Sequence, residues 1–250
     1  MASTVSLEEV KKIISFPVKG EKWGIKNLVG AALTFGNFIV PLIPTIPVLG
    51  YAARIMKRII VDDEDPALPE WNDWTNLFLE GLKVFGVMAI FEVPAMLLIF
   101  AGYGMMLIPI FIKVGSYSNP SPDIFNLTML LSDFGGMVLF MAGLILLLVA
   151  MIFLSPALGN MIATGDFGAA FRIKEWWPVF KANFAGYLVA IILLIGLWGV
   201  CAYVMELIAF TVILCLLLPF IISFIGFALT MIMMTLFAVA YRDGVRKLAA

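Results

Sequence analysis

Residues 75–112 read TNLFLEGLKVFGVMAIFEVPAMLLIFAGYGMMLIPIFI and carry only Glu80, Lys83 and Glu92 as charged side chains. A stretch so long and apolar has no stable place in water. It is the signature of a membrane-crossing helix, for which about 20 apolar residues suffice. As one straight helix it would reach about 57 Å, well beyond a hydrocarbon core of about 30 Å. Pro94, the pair Gly102 and Gly104, and Pro109 are the expected places for a kink or a break. The whole chain shares this character. It is 63% hydrophobic and 13% charged, against about 45–50% and about 25% in soluble domains, and its mean hydropathy is +1.07. The expected fold class is an all-α polytopic membrane bundle.

Outward from that stretch, apolar tracts alternate with connectors and give six expected segments. The first tract starts at Trp23 and is interrupted by Pro41, Pro44 and Pro47, whose missing amide donors rule out a regular helix there. This gives helix 1 over 23–42, a proline-rich outer turn, and helix 2 over about 45–60. Because helix 2 is short, a re-entrant hairpin is the alternative. Helix 4 is expected over 127–162, helix 5 over 183–203, and helix 6 over 207–241 after a turn near Glu206. Residues 1–22 read as an amphipathic interfacial segment, residues 23–241 as the transmembrane domain, and residues 242–250 as a basic cytoplasmic tail. In the first of these, Ser6 and Glu9 fit a capping box, and Leu7, Val10, Ile13 and Ile14 share one helical face. No signal-peptide pattern is expected there, given Glu8, Glu9, Lys11 and Lys12.

Charge orients the chain. Fifteen of its sixteen Lys and Arg residues fall on one side of this threading, with only Lys113 on the other. Basic connectors stay in the cytoplasm, so both termini and the 61–75 and 163–182 connectors are expected inside, and residues 113–126 outside. Trp23, Trp71, Trp74, Trp176 and Trp177 fall at the inner boundaries, where a half-dry indole is favoured; Trp198 lies within a span. Helices 3 and 5 each restart after a tryptophan pair, a weak echo of the parallel rather than the inverted repeat type.

The chemistry is narrow. The chain has no histidine, which removes the commonest general base and metal ligand. No Walker-type phosphate loop or Gly-x-Ser-x-Gly elbow occurs. With neither a cofactor site, a metal site nor a catalytic set in view, the protein is expected not to be an enzyme. A net charge of −1 gives no reason to expect nucleic acid. Cys201 and Cys215 read as small buried hydrophobes, with an outer-face disulfide as the alternative. Asp133 and Glu206 read as boundary residues, and Glu80 with Lys83 as an i, i+3 pair. The run Asp62-Asp63-Glu64-Asp65 lacks the spacing of a calcium loop and reads as a solvated, self-paired loop. Gly30 with Thr34, Ala32 with Gly36, and Ser155 with Gly159 suit close helix packing. The Asn126-Leu127-Thr128 sequon reads as chance. Glu92 is the deepest ionisable residue, and a carboxylate in hydrocarbon is costly unless paired or hydrated.

Gly50-Tyr51-Ala52-Ala53-Arg54, then Leu68-Pro69-Glu70-Trp71-Asn72-Asp73-Trp74, Phe78 and Gly81, resemble a prokaryotic membrane-protein family called domain of unknown function 4013. The resemblance implies a polytopic helical protein in a prokaryotic cytoplasmic membrane and assigns no reaction. The residues themselves suggest that Pro69 opens helix 3, with Glu70 and Asp73 in its first turn, where acidic groups meet the positive end of the helix dipole. Trp71 and Trp74 then anchor the entry at headgroup depth. Pro69, Glu70, Trp71, Asp73 and Trp74, with Arg54 and Arg58, form the candidate interfacial recognition set. The leading functional expectation is a scaffold, anchor or membrane-organising subunit. Its partners would be the bilayer, with anionic headgroups at the inner face, and a second copy or another membrane protein. The alternative is a small transporter or channel with Glu92 as its proton- or ion-linked site, which requires Glu92→Gln to abolish flux in reconstituted vesicles.

Overall fold

The computed structural model describes residues 7–115, 122–209 and 216–250, and among these every regular element is helical. In order they are α1 (Leu7–Ser15), a 3-10 turn (Phe16–Val18), α2 (Trp23–Gly36), α3 (Thr45–Ile60), α4 (Trp74–Gly115), α5 (Pro122–Thr164), a second 3-10 turn (Phe167–Phe171), α6 (Ile173–Ala182), α7 (Phe184–Ala209) and α8 (Leu218–Ala249). Four of them, α4, α5, α7 and α8, contain stretches long and apolar enough to cross a membrane. The six expected segments are corrected to four.

The missing two are α2 and α3. At 14 and 16 residues they reach only about 21 and 24 Å, short of a hydrocarbon core of about 30 Å. Residues 37–42, counted as helix in the expectation, belong to the turn over 37–44 instead. Asn37 organises it: its Nδ2 donates to Thr34 O at 3.1 Å, and its Oδ1 accepts from Leu42 N at 3.1 Å and Thr45 Oγ1 at 2.8 Å. Pro41 and Pro44 lie in the turn, whereas Pro47 falls in the first turn of α3, where a missing amide costs nothing.

Two compact units divide the chain. The first comprises residues up to Val87 and from Ser155 onward; the second comprises Met88–Leu154. In the first, α8 packs along α2, α3, α6 and α7. Its core surrounds α3, where Tyr51, Ala52, Ile55, Met56 and Ile59 are fully buried. Backbones meet where α3 crosses the start of α4. A Cβ on Gly50 would overlap the Leu77 carbonyl, and one on Gly81 would overlap the Ile46 carbonyl. Only glycine fits either side of that crossing. The remaining small-residue pairs also serve packing, with Gly30 against the Phe227 ring and Gly159 against the Tyr241 ring. On α1, Ile13 is buried while Ile14 stays 41% exposed, so its apolar face is partly spent on the protein itself; Ser6 of the capping box lies outside the described residues.

In the second unit, α4 runs unbroken through Pro94, Gly102, Gly104 and Pro109. Of the expected kink or break, the break is absent, and Gly102 is a contact point. It abuts Gly136 and Phe140, while Ile99 and Ala95 abut Gly143. The paired numbers run in opposite directions, so the two segments form an antiparallel hairpin with a glycine-lined seam. The other boundaries shift modestly. Glu206 lies inside α7 rather than in a turn, and residues 242–249 are the last turns of α8 rather than a separate tail. Cys201 is a free thiol; Cys215, and with it the disulfide alternative, falls outside the described residues.

Candidate functional site

The two halves of the 51–74 pattern meet in space. Tyr51 on α3 stacks on Trp71 with ring centroids 4.0 Å apart and 14° between planes, and Trp71 stacks in turn on Trp74 at 5.6 Å. Phe227 of α8 closes the cluster, 6.1 Å from Trp71. Polar contacts fix the same segment. Tyr51 Oη donates to Pro69 O at 2.6 Å, and Trp71 Nε1 donates to Lys26 O at 2.9 Å. The Lys26 ammonium donates to Leu68 O and pairs with Glu70, both at 2.9 Å. Lys26 is only 8% exposed, so this pairing is what makes its burial tolerable.

Arg54 completes the clasp. Its guanidinium donates to Asn72 O at 2.8 Å, Asn72 Oδ1 at 2.9 Å and Asp73 O at 3.1 Å, with Asp73 and Glu80 carboxylates each 3.8 Å away. Pro69 and Glu70 therefore do not open the helix: α4 starts at Trp74, and Pro69–Asp73 is irregular chain held by α2 and α3. Asp73 caps the helix, its Oδ1 accepting from Asn76 N at 3.4 Å and its backbone carbonyl from Leu77 N at 3.0 Å. The candidate recognition set is thus largely engaged internally.

The acidic run disperses rather than gathering. Asp63 meets Arg246 and Arg242, Glu64 pairs with Arg58 at 2.6 Å, and Asp65 pairs with Lys12 at 2.5 Å. No group of three or more acidic or thiol side chains suited to a metal ion occurs among the described residues. A hydrogen bond from Lys26, followed by the charges of Lys26 and Lys22, holds the Glu70 carboxyl below its ordinary range; one from Arg246 does the same for Asp63. Both folded-state values lie below the unfolded ones. Their stabilisation is therefore complete above the unfolded carboxylate range and disappears as pH falls through the depressed folded values. Thermal unfolding in detergent should show the midpoint falling on acidification below about pH 4. A Glu70→Gln, Asp63→Asn double variant should be less stable at pH 7 with a shallower acid limb. An acid limb as steep as that of wild type would contradict this.

Beside the clasp lies an open polar groove of about 710 Å³. Arg54, Lys57 and Arg58, at i, i+3 and i+4, line its α3 side, and Asp62, Glu70, Asn72 and Asp73 of the connector with Asn76 and Glu80 of α4 line the other. A narrow recess of about 100 Å³ continues from it between Lys57, Glu80, Lys83 and the end of α5 at Met161 and Ile162. A third recess, about 650 Å³, follows along Leu79, Leu82, Phe85 and Phe167. Glu80 lines all three, so they form one tract that grades from polar to apolar.

Within this tract the cations differ. Arg54 and Arg58 are paired, whereas the Lys57 ammonium has no partner among the described residues. Lys83 does not pair with Glu80 as expected. It reaches Gly165 O at 3.4 Å, and Glu80 turns toward Arg54 Nε. Glu80 Oε2 is shielded from solvent and accepts no hydrogen bond. Glu92 lies in the other unit, half-buried, with no ion-pair partner among the described residues. Asp133 and Glu206 are exposed, and Asn126 of the sequon lies within α5.

Sequence reasoning missed Lys26 and the hub around Asn160. Asn160 Nδ2 donates to Ala169 O at 3.0 Å and Glu175 Oε2 at 2.9 Å, while Oδ1 accepts from Tyr241 Oη at 3.0 Å. Trp176, expected at headgroup level, is 3% exposed and donates to Ala170 O at 3.0 Å. A lone lysine three residues after Trp23, inside an apolar tract, was the available signal for Lys26.

The class so defined is an all-α protein with four membrane-length helices and a groove, polar at one end, beside the start of α4. The chain belongs to the family described as Protein of unknown function (DUF4013), whose pattern matches residues 35–210. No curated protein and no solved structure matches it.

Proposed function

We propose that this is an integral protein of a prokaryotic cytoplasmic membrane that works through lipid contacts, as a scaffold, anchor or membrane-organising subunit, without a catalytic step. The observation that carries this reading is the tract itself. A groove of mixed charge, with Arg54, Lys57 and Arg58 among its lining, leads past Glu80 and the Lys57–Lys83 recess into an apolar gutter, which is the profile of a lipid headgroup followed by its chain. The inward bias of Lys and Arg puts both termini, and with them the polar groove, at the cytoplasmic headgroup layer, where basic side chains attract anionic lipid. The short α2–α3 hairpin enters and leaves on that same side, whether it re-enters or not. Protein isolated in mild detergent should retain anionic phospholipid through size exclusion, read by native mass spectrometry, and added anionic lipid should raise its thermal midpoint. Lipid-free protein whose midpoint ignores every added lipid would defeat the reading.

A further inference from the structure

Resting on that reading, we propose that the tract around Glu80 is a single-lipid site for an anionic phospholipid whose headgroup carries a hydroxyl. The phosphate lies between Lys57 and Lys83, the hydroxyl donates to Glu80, and one acyl chain runs along the gutter of Leu79, Leu82 and Phe167.

Charge complementarity comes first. Two ammonium groups line the small recess against one carboxylate, and that carboxylate is already partly offset by Arg54 at 3.8 Å. The local balance therefore favours one added negative charge. Lys57 is free to take it, and the 3.4 Å contact of Lys83 with a carbonyl is easily exchanged for a charge-assisted bond. Depth agrees. Lys83 lies about 13 Å along α4 from its first residue, within reach of a lysine that snorkels toward the interface.

Glu80 supplies the selectivity. The Glu80 side chain is 39% exposed, with Oε2 turned toward Arg54, so a headgroup hydroxyl can donate to the open part of the carboxylate, which a headgroup without a donor cannot do. A choline or a methyl headgroup brings none. The apolar gutter supplies the reason for a lipid rather than a free anion. Its flanking side chains, Leu79 at 52% and Leu82 at 46% exposure, are positioned to meet a chain that leaves the recess.

The test uses the full chain in detergent, titrated with single lipids and read by native mass spectrometry. The probes are phosphatidylglycerol, phosphatidylmethanol (same charge, no hydroxyl), phosphatidylcholine and inorganic phosphate. Wild type should hold one phosphatidylglycerol about tenfold more tightly than phosphatidylcholine and several-fold more tightly than phosphatidylmethanol. Glu80→Gln should narrow the preference over phosphatidylmethanol, and Lys57→Gln with Lys83→Gln should narrow that over phosphatidylcholine while leaving the preference over phosphatidylmethanol in place. Leu79→Trp, at an exposed position, should weaken every lipid about equally by filling the gutter; its lipid-free thermal midpoint checks folding. Tight lipid binding that the double lysine variant and Leu79→Trp both leave unchanged would overturn this site while leaving a lipid-contacting protein intact. Inorganic phosphate competing as well as the lipid would assign the recess to a free anion and overturn the lipid. Wild type retaining no lipid at all would remove both readings.

Discussion

Alanine in place of Gly81 should cost most of the protein's folded yield. The added methyl would meet backbone, the Ile46 carbonyl and the Gly50 amide, and neither α3 nor α4 can retreat without opening the core around Ile55 and Met56. Overpacking a flexible side chain costs about 1–3 kcal/mol, and a backbone clash belongs to the exceptional class beyond about 4 kcal/mol. Gly50→Ala should behave alike, since its methyl would meet the Leu77 carbonyl. Gly104→Ala is the matched control: nothing lies within 4 Å of its added methyl, so it should gain up to about 1 kcal/mol from helix propensity. Monodisperse yield and thermal midpoint in detergent read both. Equal midpoints for Gly81→Ala and Gly104→Ala would mean that α3 and α4 do not cross by backbone contact.

Trp71→Ala carries the second largest expected effect. It removes a ring stacked between Tyr51 and Trp74 and the indole donor on Lys26 O. Truncating such an aromatic costs about 3–5 kcal/mol. Trp71→Phe keeps most of the stacking and loses the hydrogen bond, for about 1 kcal/mol. Trp74→Ala, at a side chain 49% exposed, should cost under about 1 kcal/mol. If Trp74→Ala were the more damaging change, the pair would act at the headgroup layer rather than in the clasp.

The long apolar stretches were legible because length and hydrophobicity are local properties, and α4, α5, α7 and α8 follow from them directly. The count of six failed for a local reason too. Residues 37–42 are as apolar as their helical neighbours, and hydropathy does not register that Asn37 bonds to Leu42 and Thr45 to form a turn. The apolar stretch put the start of α4 near Thr75, next to the observed Trp74. The reading of Pro69 as its opening residue was too early, because a proline followed by acids is a sound helix-opening signal in isolation. Tyr51 and Lys26 override it by binding the carbonyls of Pro69 and Leu68. Those partners lie 18 and 42 residues away in sequence, so only the tertiary fold reveals them. The site shows the same split. Arg54 and Arg58 were visible as candidates and prove to be engaged in holding the connector. Lys57 and Glu80 gain their interest from what they lack, which a sequence does not state.

The orientation of the groove is the claim on which the rest depends, and topology labelling tests it directly. Single cysteines at Asp62, Ser118 and Lys174, introduced after changing Cys201 and Cys215 to Ser, would be exposed on intact cells to an impermeant maleimide. Only position 118 should react, with positions 62 and 174 reacting after the membrane is opened. A further probe at Thr45 reacts from outside only if the α2–α3 hairpin crosses fully. Reaction at position 62 on intact cells, with position 118 silent until the membrane is opened, would place the groove at the outer face and contradict the account.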